Sequence, residues 1–130
     1  MPTWIMQILA IGCLGAVGAL SRFGLMQAMA SWQWLSLPVA ITLINLLGCG
    51  IAGWANVALM GKTWLGLDLK LLFSVGFLGA LTTYATFIAE GASILSALGK
   101  GWALFYWVGQ TALGFGVYIV ASQLTIRLQP

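Results

Sequence analysis

The chain has 130 residues, a one-domain length, and 62% of them are hydrophobic, with a mean hydropathy of +1.04. Charged residues supply 5% of it, against about a quarter in soluble domains. Five basic and two acidic residues cannot cover the surface of a soluble 13.8 kDa protein. This excludes a soluble enzyme and a disordered chain. Despite the net charge of +3, five basic residues are also too few for a stripe that tracks nucleic-acid phosphates. The composition is that of an integral membrane protein.

The charges Arg22, Lys62, Asp68, Lys70, Glu90, Lys100 and Arg127 leave charge-free stretches at 1–21, 23–61, 71–89 and 101–126. A spanning helix needs about 20 apolar residues. The start, Met-Pro-Thr-Trp, lacks a basic region, so no cleaved signal peptide is expected. The first predicted helix covers about 4–29 and carries Gly12, Gly15, Ala16, Gly18 and Ala19, with Arg22 ending its apolar run. The long stretch that follows is interrupted between Ser31 and Pro38. Pro38 suits a helix start, where its missing N–H costs nothing. The second helix is therefore predicted at about 38–60, with Asn45 two turns in and Gly48, Ala52 and Gly53 beyond it. Small residues four apart, Gly12/Ala16 and Gly48/Ala52, allow close backbone approach in lipid.

The third helix, about 69–97, contains the least regular segment: Gly76, Gly79, Thr82, Thr83, Tyr84, Thr86 and Phe87 interrupt what would otherwise be a clean span. Backbone freed by a helix break at membrane depth must line a cavity or bind something. Free carbonyls there suit a hard cation such as sodium, and a kinked helix with self-bonded threonines is the alternative. Thr83, Thr86, Phe87 and Glu90 follow helical spacing and share a face. The fourth helix, about 101–126, places Tyr106, Gln110, Gly114 and Tyr118 on one stripe, with Thr111 beside it.

Polar groups inside a span are costly and tend to be functional. Asn45 needs a partner across a helix interface or a wet cavity, and its amide can donate to an anion. Tyr84 and Phe87 have electropositive ring edges able to meet a small anion, although ordinary packing explains such a pair equally well. Glu90 is either a proton carrier or an interfacial acid, and Arg22 either a snorkelling side chain, a member of a structural pair or a vestibule charge that attracts anions. Cys13 and Cys49 lie in apolar runs and read as fillers; with no His and two carboxylates, a transition-metal site has almost no ligands. Trp4, Trp32, Trp34, Trp64 and Trp102 suit the membrane interface. Basic residues divide three against two, Lys62, Lys70 and Arg127 on one side and Arg22 and Lys100 on the other, which leaves little orientation bias.

Gly12-Cys13-Leu14-Gly15-Ala16 leading to Arg22-Phe23, then Asn45-Leu46-Leu47-Gly48, then the run Gly76 to Phe87 with Glu90 behind it, together resemble the Fluc (CrcB-type) fluoride channels along almost the whole chain. The resemblance implies an all-α membrane protein of four transmembrane helices with a break in the third, assembled as an antiparallel, dual-topology dimer. It implies passive, fluoride-selective export across a bacterial plasma membrane, with two fluoride pathways and no enzymatic activity. A structural Na+ at the dimer centre would be held by backbone carbonyls of Gly79 and Thr82 from both subunits. Asn45, Thr83, Tyr84, Thr86, Phe87, Tyr106 and Gln110 are the expected fluoride-pathway residues, Asn45 as a donor and Phe87 as a pore phenylalanine. Arg22 and Glu90 stand beside that set.

Tyr84 stands where the family usually has Phe, Ala80 where it has Gly, and Ala85 where it has Ser. Gln110 and Gly114 replace members of a hydroxyl ladder. The expected partners are fluoride, membrane lipid and a second copy of the chain. The alternative is a half-active or non-conducting subunit paired with a different chain. A small multidrug-resistance antiporter, also short and four-helical, requires a glutamate in its first helix, where this chain has none.

Overall fold

The computed structural model describes residues 2–32 and 36–129. Trp34, expected at the interface, lies outside the described residues. Helix α1 runs Thr3–Ala30 and α2 runs Leu37–Ala58. A two-stranded hairpin follows, β1 at Thr63–Trp64 and β2 at Leu67–Asp68, antiparallel with Thr63 opposite Asp68. The third span begins as α3, Leu69–Leu72, and loosens into a π-helical segment, Phe73–Leu78. It then re-forms briefly as α4, Gly79–Leu81, and resumes after Thr82 and Thr83 as α5, Tyr84–Leu98. Helix α6 runs Lys100–Leu128. Thr3–Ala30, Pro38–Ala58, Leu69–Leu98 and Lys100–Leu128 are each long and apolar enough to cross a membrane. The shortest of these four, 21 residues, rises about 32 Å, close to the thickness of a hydrocarbon core.

Local chemistry accounts for the boundaries. Pro38 occupies the first turn of α2, where no N–H is needed. Helix α2 ends at Ala58 rather than near residue 60, because Leu59 leaves helical geometry and Gly61 takes φ 68°. The hairpin turns through Leu65 and Gly66 at φ 51° and 77°. This pattern suits a type I′ turn, an element the hydropathy reading did not resolve. The Asp68 carboxylate caps α3 by accepting from the Leu71 N–H at 3.0 Å. Gly99, at φ 92°, separates α5 from α6 in a single residue and so makes them antiparallel neighbours.

Packing divides the third span between two sets of partners. Its first half, α3 through α4, lies along α1; its second half, α5, lies against α6 and α2. Helix α2 forms its largest interface with α6. The close approach of α1 to the π-helical segment depends on missing side chains. A Cβ on Gly18 would collide with the Phe77 carbonyl, and one on Gly76 would stand 2.8 Å from the Leu14 Cβ and 3.0 Å from the Ile11 carbonyl oxygen. Ile44, Leu78 and Leu81 form the buried core cluster where α2 meets the third span. Phe73 stacks on Phe77 at 5.0 Å and meets Trp54 edge-on at 6.3 Å.

The small-residue pairs separate into two kinds. Gly48 is buried with the Thr82 side chain directly against it, whereas Gly12 has nothing within 4 Å. Only the former is a packing glycine within the chain.

Candidate functional site

The site grows from the two residues that interrupt the third span. Thr82 and Thr83 are extended, at φ −85°, ψ 158° and φ −146°, ψ 113°. Extended backbone at this depth must find new partners for its polar groups, and α2 supplies one. The Asn45 side chain, half-buried, accepts from the Thr83 N–H through Oδ1 at 3.2 Å. Because a peptide N–H can only donate, this bond sets the amide: oxygen toward the bend, Nδ2 away from it. No described residue accepts from Nδ2. Thr83 in turn caps α5, its Oγ1 taking the Thr86 N–H at 3.4 Å and lying 3.0 Å from the Thr86 hydroxyl.

These bonds leave carbonyls behind. In a continuous helix the Thr83 N–H would close on the Gly79 carbonyl and the Thr86 N–H on that of Thr82. Here the first goes to Asn45 and the second to Thr83 Oγ1. Thr82 is held in place by its own hydroxyl, which donates to the Leu78 carbonyl at 2.9 Å. The bend therefore combines a capped helix start with two carbonyl oxygens, on Gly79 and Thr82, deprived of their ordinary donors.

A cavity of about 390 Å³ opens beside the bend, lined by Asn45, Thr82, Thr83, Tyr84, Phe87 and Gln110 among others. Phe87 is only 8% exposed, with its ring 6.0 Å from that of Tyr84 and 5.4 Å from that of Tyr106. Tyr84 is 75% exposed and forms the rim. A second cavity, of about 350 Å³, lies among α2, α5 and α6 and is lined by Thr42, Tyr106 and Gln110 together with apolar side chains. Gln110 accepts at Oε1 from the Thr42 hydroxyl at 3.0 Å. Among the described residues, neither the Tyr106 hydroxyl, buried near Thr42, nor the buried Trp107 indole N–H forms a hydrogen bond.

Of the residues expected from sequence, Asn45, Thr82, Thr83, Tyr84, Phe87 and Gln110 thus line one space. Thr86 joins them through its bonds to Thr83, and Tyr106 through its ring contact with Phe87. Glu90 is half-buried one turn past Phe87, in the neighbourhood of Tyr106. Arg22 is half-buried on α1, away from both cavities. Gly114 lines the first cavity and, as glycine, brings no donor to it. Tyr118 lines neither cavity; its backbone carbonyl packs on Gly53.

Thr42 and Trp107 were not among the residues expected from sequence. Thr42 had a signal available, a hydroxyl three residues before Asn45 and hence on the same helix face. Trp107 had none, because its close fit against Gly91 joins two different helices.

Residues 9–122 match the family model described as CrcB-like protein, Camphor Resistance (CrcB). The chain belongs to the CrcB-like family. Among its relatives is a fluoride-specific ion channel FluC of Synechocystis sp. (strain ATCC 27184 / PCC 6803 / Kazusa), 36% identical over 133 aligned positions that cover 97% of this chain and 100% of the relative. A FluC of Trichormus variabilis is 37% identical over 117 positions, covering 88% of this chain and 82% of its own length. A FluC of a Synechococcus strain is 34% identical over 105 positions, covering 81% and 79%. All of the site's residues, from Thr42 to Gln110, fall inside the span matched by the CrcB-like model.

Proposed function

We propose that this CrcB-like chain is a fluoride-selective channel of a bacterial plasma membrane, through which fluoride leaves the cytoplasm passively. The observation that carries the reading is the pair of amides, Asn45 and Gln110, lining one cavity with their oxygens engaged and their NH₂ groups without acceptors among the described residues. Fluoride is small and strongly hydrated, so a pathway must replace water with donors and still release the ion. Neutral amide N–H groups and ring edges attract an anion more weakly than a fixed Arg does, which suits rapid passage. Three relatives that carry the name fluoride-specific ion channel, over most of this chain, support the same reading.

Four slender helices leave these cavities open at their rim, and the reading therefore includes a second copy of the chain. An antiparallel homodimer accords with the three-against-two division of basic residues. In that dimer a structural sodium ion would sit at the bend. Sodium is a hard cation that takes oxygen ligands, and the Gly79 and Thr82 carbonyls, freed by the diversion of the Thr83 and Thr86 N–H groups, suit it chemically. Sodium there would tie two bends together and offset the field of the carbonyl dipoles.

The test is fluoride efflux from liposomes carrying only this purified chain, measured beside chloride efflux. Fluoride release without chloride release is the expected result. Absence of release from well-folded protein would overturn the homomeric channel.

A further inference from the structure

Gln110 is the one residue, among those described, that lines both cavities. The shortest route between the two cavities runs beside its side chain. We infer that Thr42 is a positioning residue that keeps the Gln110 amide turned with its N–H donors toward this junction, and that Gln110 so held is the anion checkpoint between the two cavities. The inference rests on the channel reading above.

The argument is one of donors and acceptors. Asn45 meets a peptide N–H and has no choice of orientation. Gln110 meets a hydroxyl, which donates or accepts. The Thr42 hydroxyl has one proton; it lies 2.8 Å from the Pro38 carbonyl and 3.0 Å from Gln110 Oε1, with the Tyr106 hydroxyl also close to it. Pro38 lies in the first turn of α2, so its carbonyl already receives the backbone N–H four residues on. Gln110 Oε1 has no other donor among the described residues. Giving the proton to Gln110 therefore satisfies more groups and leaves both Nε2 protons facing the junction.

If the hydroxyl proton goes to Pro38 instead, the Thr42 oxygen becomes an acceptor. The amide then turns over to donate to it, and the Gln110 carbonyl oxygen faces the passing ion. An anion that meets two N–H groups in the first arrangement meets a partial negative charge in the second. A single hydroxyl proton thus selects between an attractive and a repulsive junction, without any change of net charge.

The test uses the purified full chain in liposomes, with fluoride efflux as the readout and thermal unfolding as the control for folding. Thr42→Val removes the hydroxyl at nearly constant volume and frees the amide to turn; efflux is expected to fall about tenfold, the equivalent of one hydrogen bond to the ion. Thr42→Ser restores the hydroxyl and is expected to recover most of the flux. Gln110→Met keeps the length and removes the donors, and is expected to fall at least as far. In the Gln110→Met background, Thr42→Val is expected to change nothing more, since Thr42 acts through Gln110; a merely structural role would add its effect there.

Wild-type flux in well-folded Thr42→Val, or independent effects of the two substitutions, overturns the inference while leaving the channel reading intact. If Thr42→Val does not fold, Gln110→Met decides, and wild-type flux in that variant has the same meaning. Wild-type liposomes that release no fluoride overturn the channel reading, and this inference with it.

Discussion

Replacing Gly48 by Ala tests whether the bend in the third span is held from α2 by shape. A Cβ at this position would fall on the Thr82 Cγ2 and 3.7 Å from its Cβ. The methyl cannot simply rotate away, because a β-branched side chain has few rotamers and the Thr82 hydroxyl is bound to the Leu78 carbonyl at 2.9 Å. Relief requires either breaking that bond or moving α2 off the bend. Overpacking of this kind costs about 1–3 kcal/mol, and the gain in helix propensity from Gly to Ala returns up to about 1 kcal/mol. A net loss of roughly 1–2 kcal/mol is expected.

The companion change, Thr82→Ser, removes the offending methyl but retains the hydroxyl, and by itself loses about 0.5–1.5 kcal/mol of packing. Together the two are expected to be no less stable than Thr82→Ser alone, a favourable coupling of about 1–2 kcal/mol. Reversible unfolding of the four proteins in detergent, followed by tryptophan fluorescence, measures this coupling; fluoride efflux measured in parallel reports whether the bend still serves the pathway. Costs that add within about 0.3–0.5 kcal/mol would refute the reasoning, because independent sites behave that way.

Asn45→Leu leaves the Thr83 N–H without its acceptor, so stability is expected to fall by about 1–3 kcal/mol and fluoride efflux to collapse; unfolding curves that match wild type would contradict the role given to Oδ1. At Gly91 the Trp107 indole stands where a Cβ would be. Gly91→Ala is accordingly expected to displace that ring, change its fluorescence and cost about 1–3 kcal/mol. Gly12→Ala, with open space around it, should instead be neutral or stabilising by up to about 1 kcal/mol, and a large loss of monomer stability there would contradict the packing described. Phe87→Ile keeps an apolar filler but removes the ring edge; slower fluoride efflux from a correctly assembled protein is expected, and wild-type efflux would remove the ring from the pathway.

Composition and hydropathy alone determine that this chain crosses a membrane with four helices, since seven charges spaced as these are leave no other way to bury the remainder. The same reading reaches the segment from Gly76 to Phe87, because glycines and threonines concentrated within a span contradict its surroundings, and it reaches Asn45 as a lone amide in apolar sequence. What it could not supply is pairing. That Asn45 takes the Thr83 N–H, that Thr42 faces Gln110, and that Gly91 makes room for Trp107 are contacts across 38, 68 and 16 positions of sequence.

Periodicity assigns residues to faces of one helix and is silent about which helix each face meets. It is equally silent about the π-helical widening at Phe73–Leu78 and about which glycines bear packing, since Gly12 and Gly48 look alike until α1 and α2 have neighbours. The polar side chains were legible as candidates because lipid makes each of them expensive. Their orientation, which decides whether an ion meets an N–H or a carbonyl oxygen, belongs to the tertiary structure, because an amide turns according to the partner it finds.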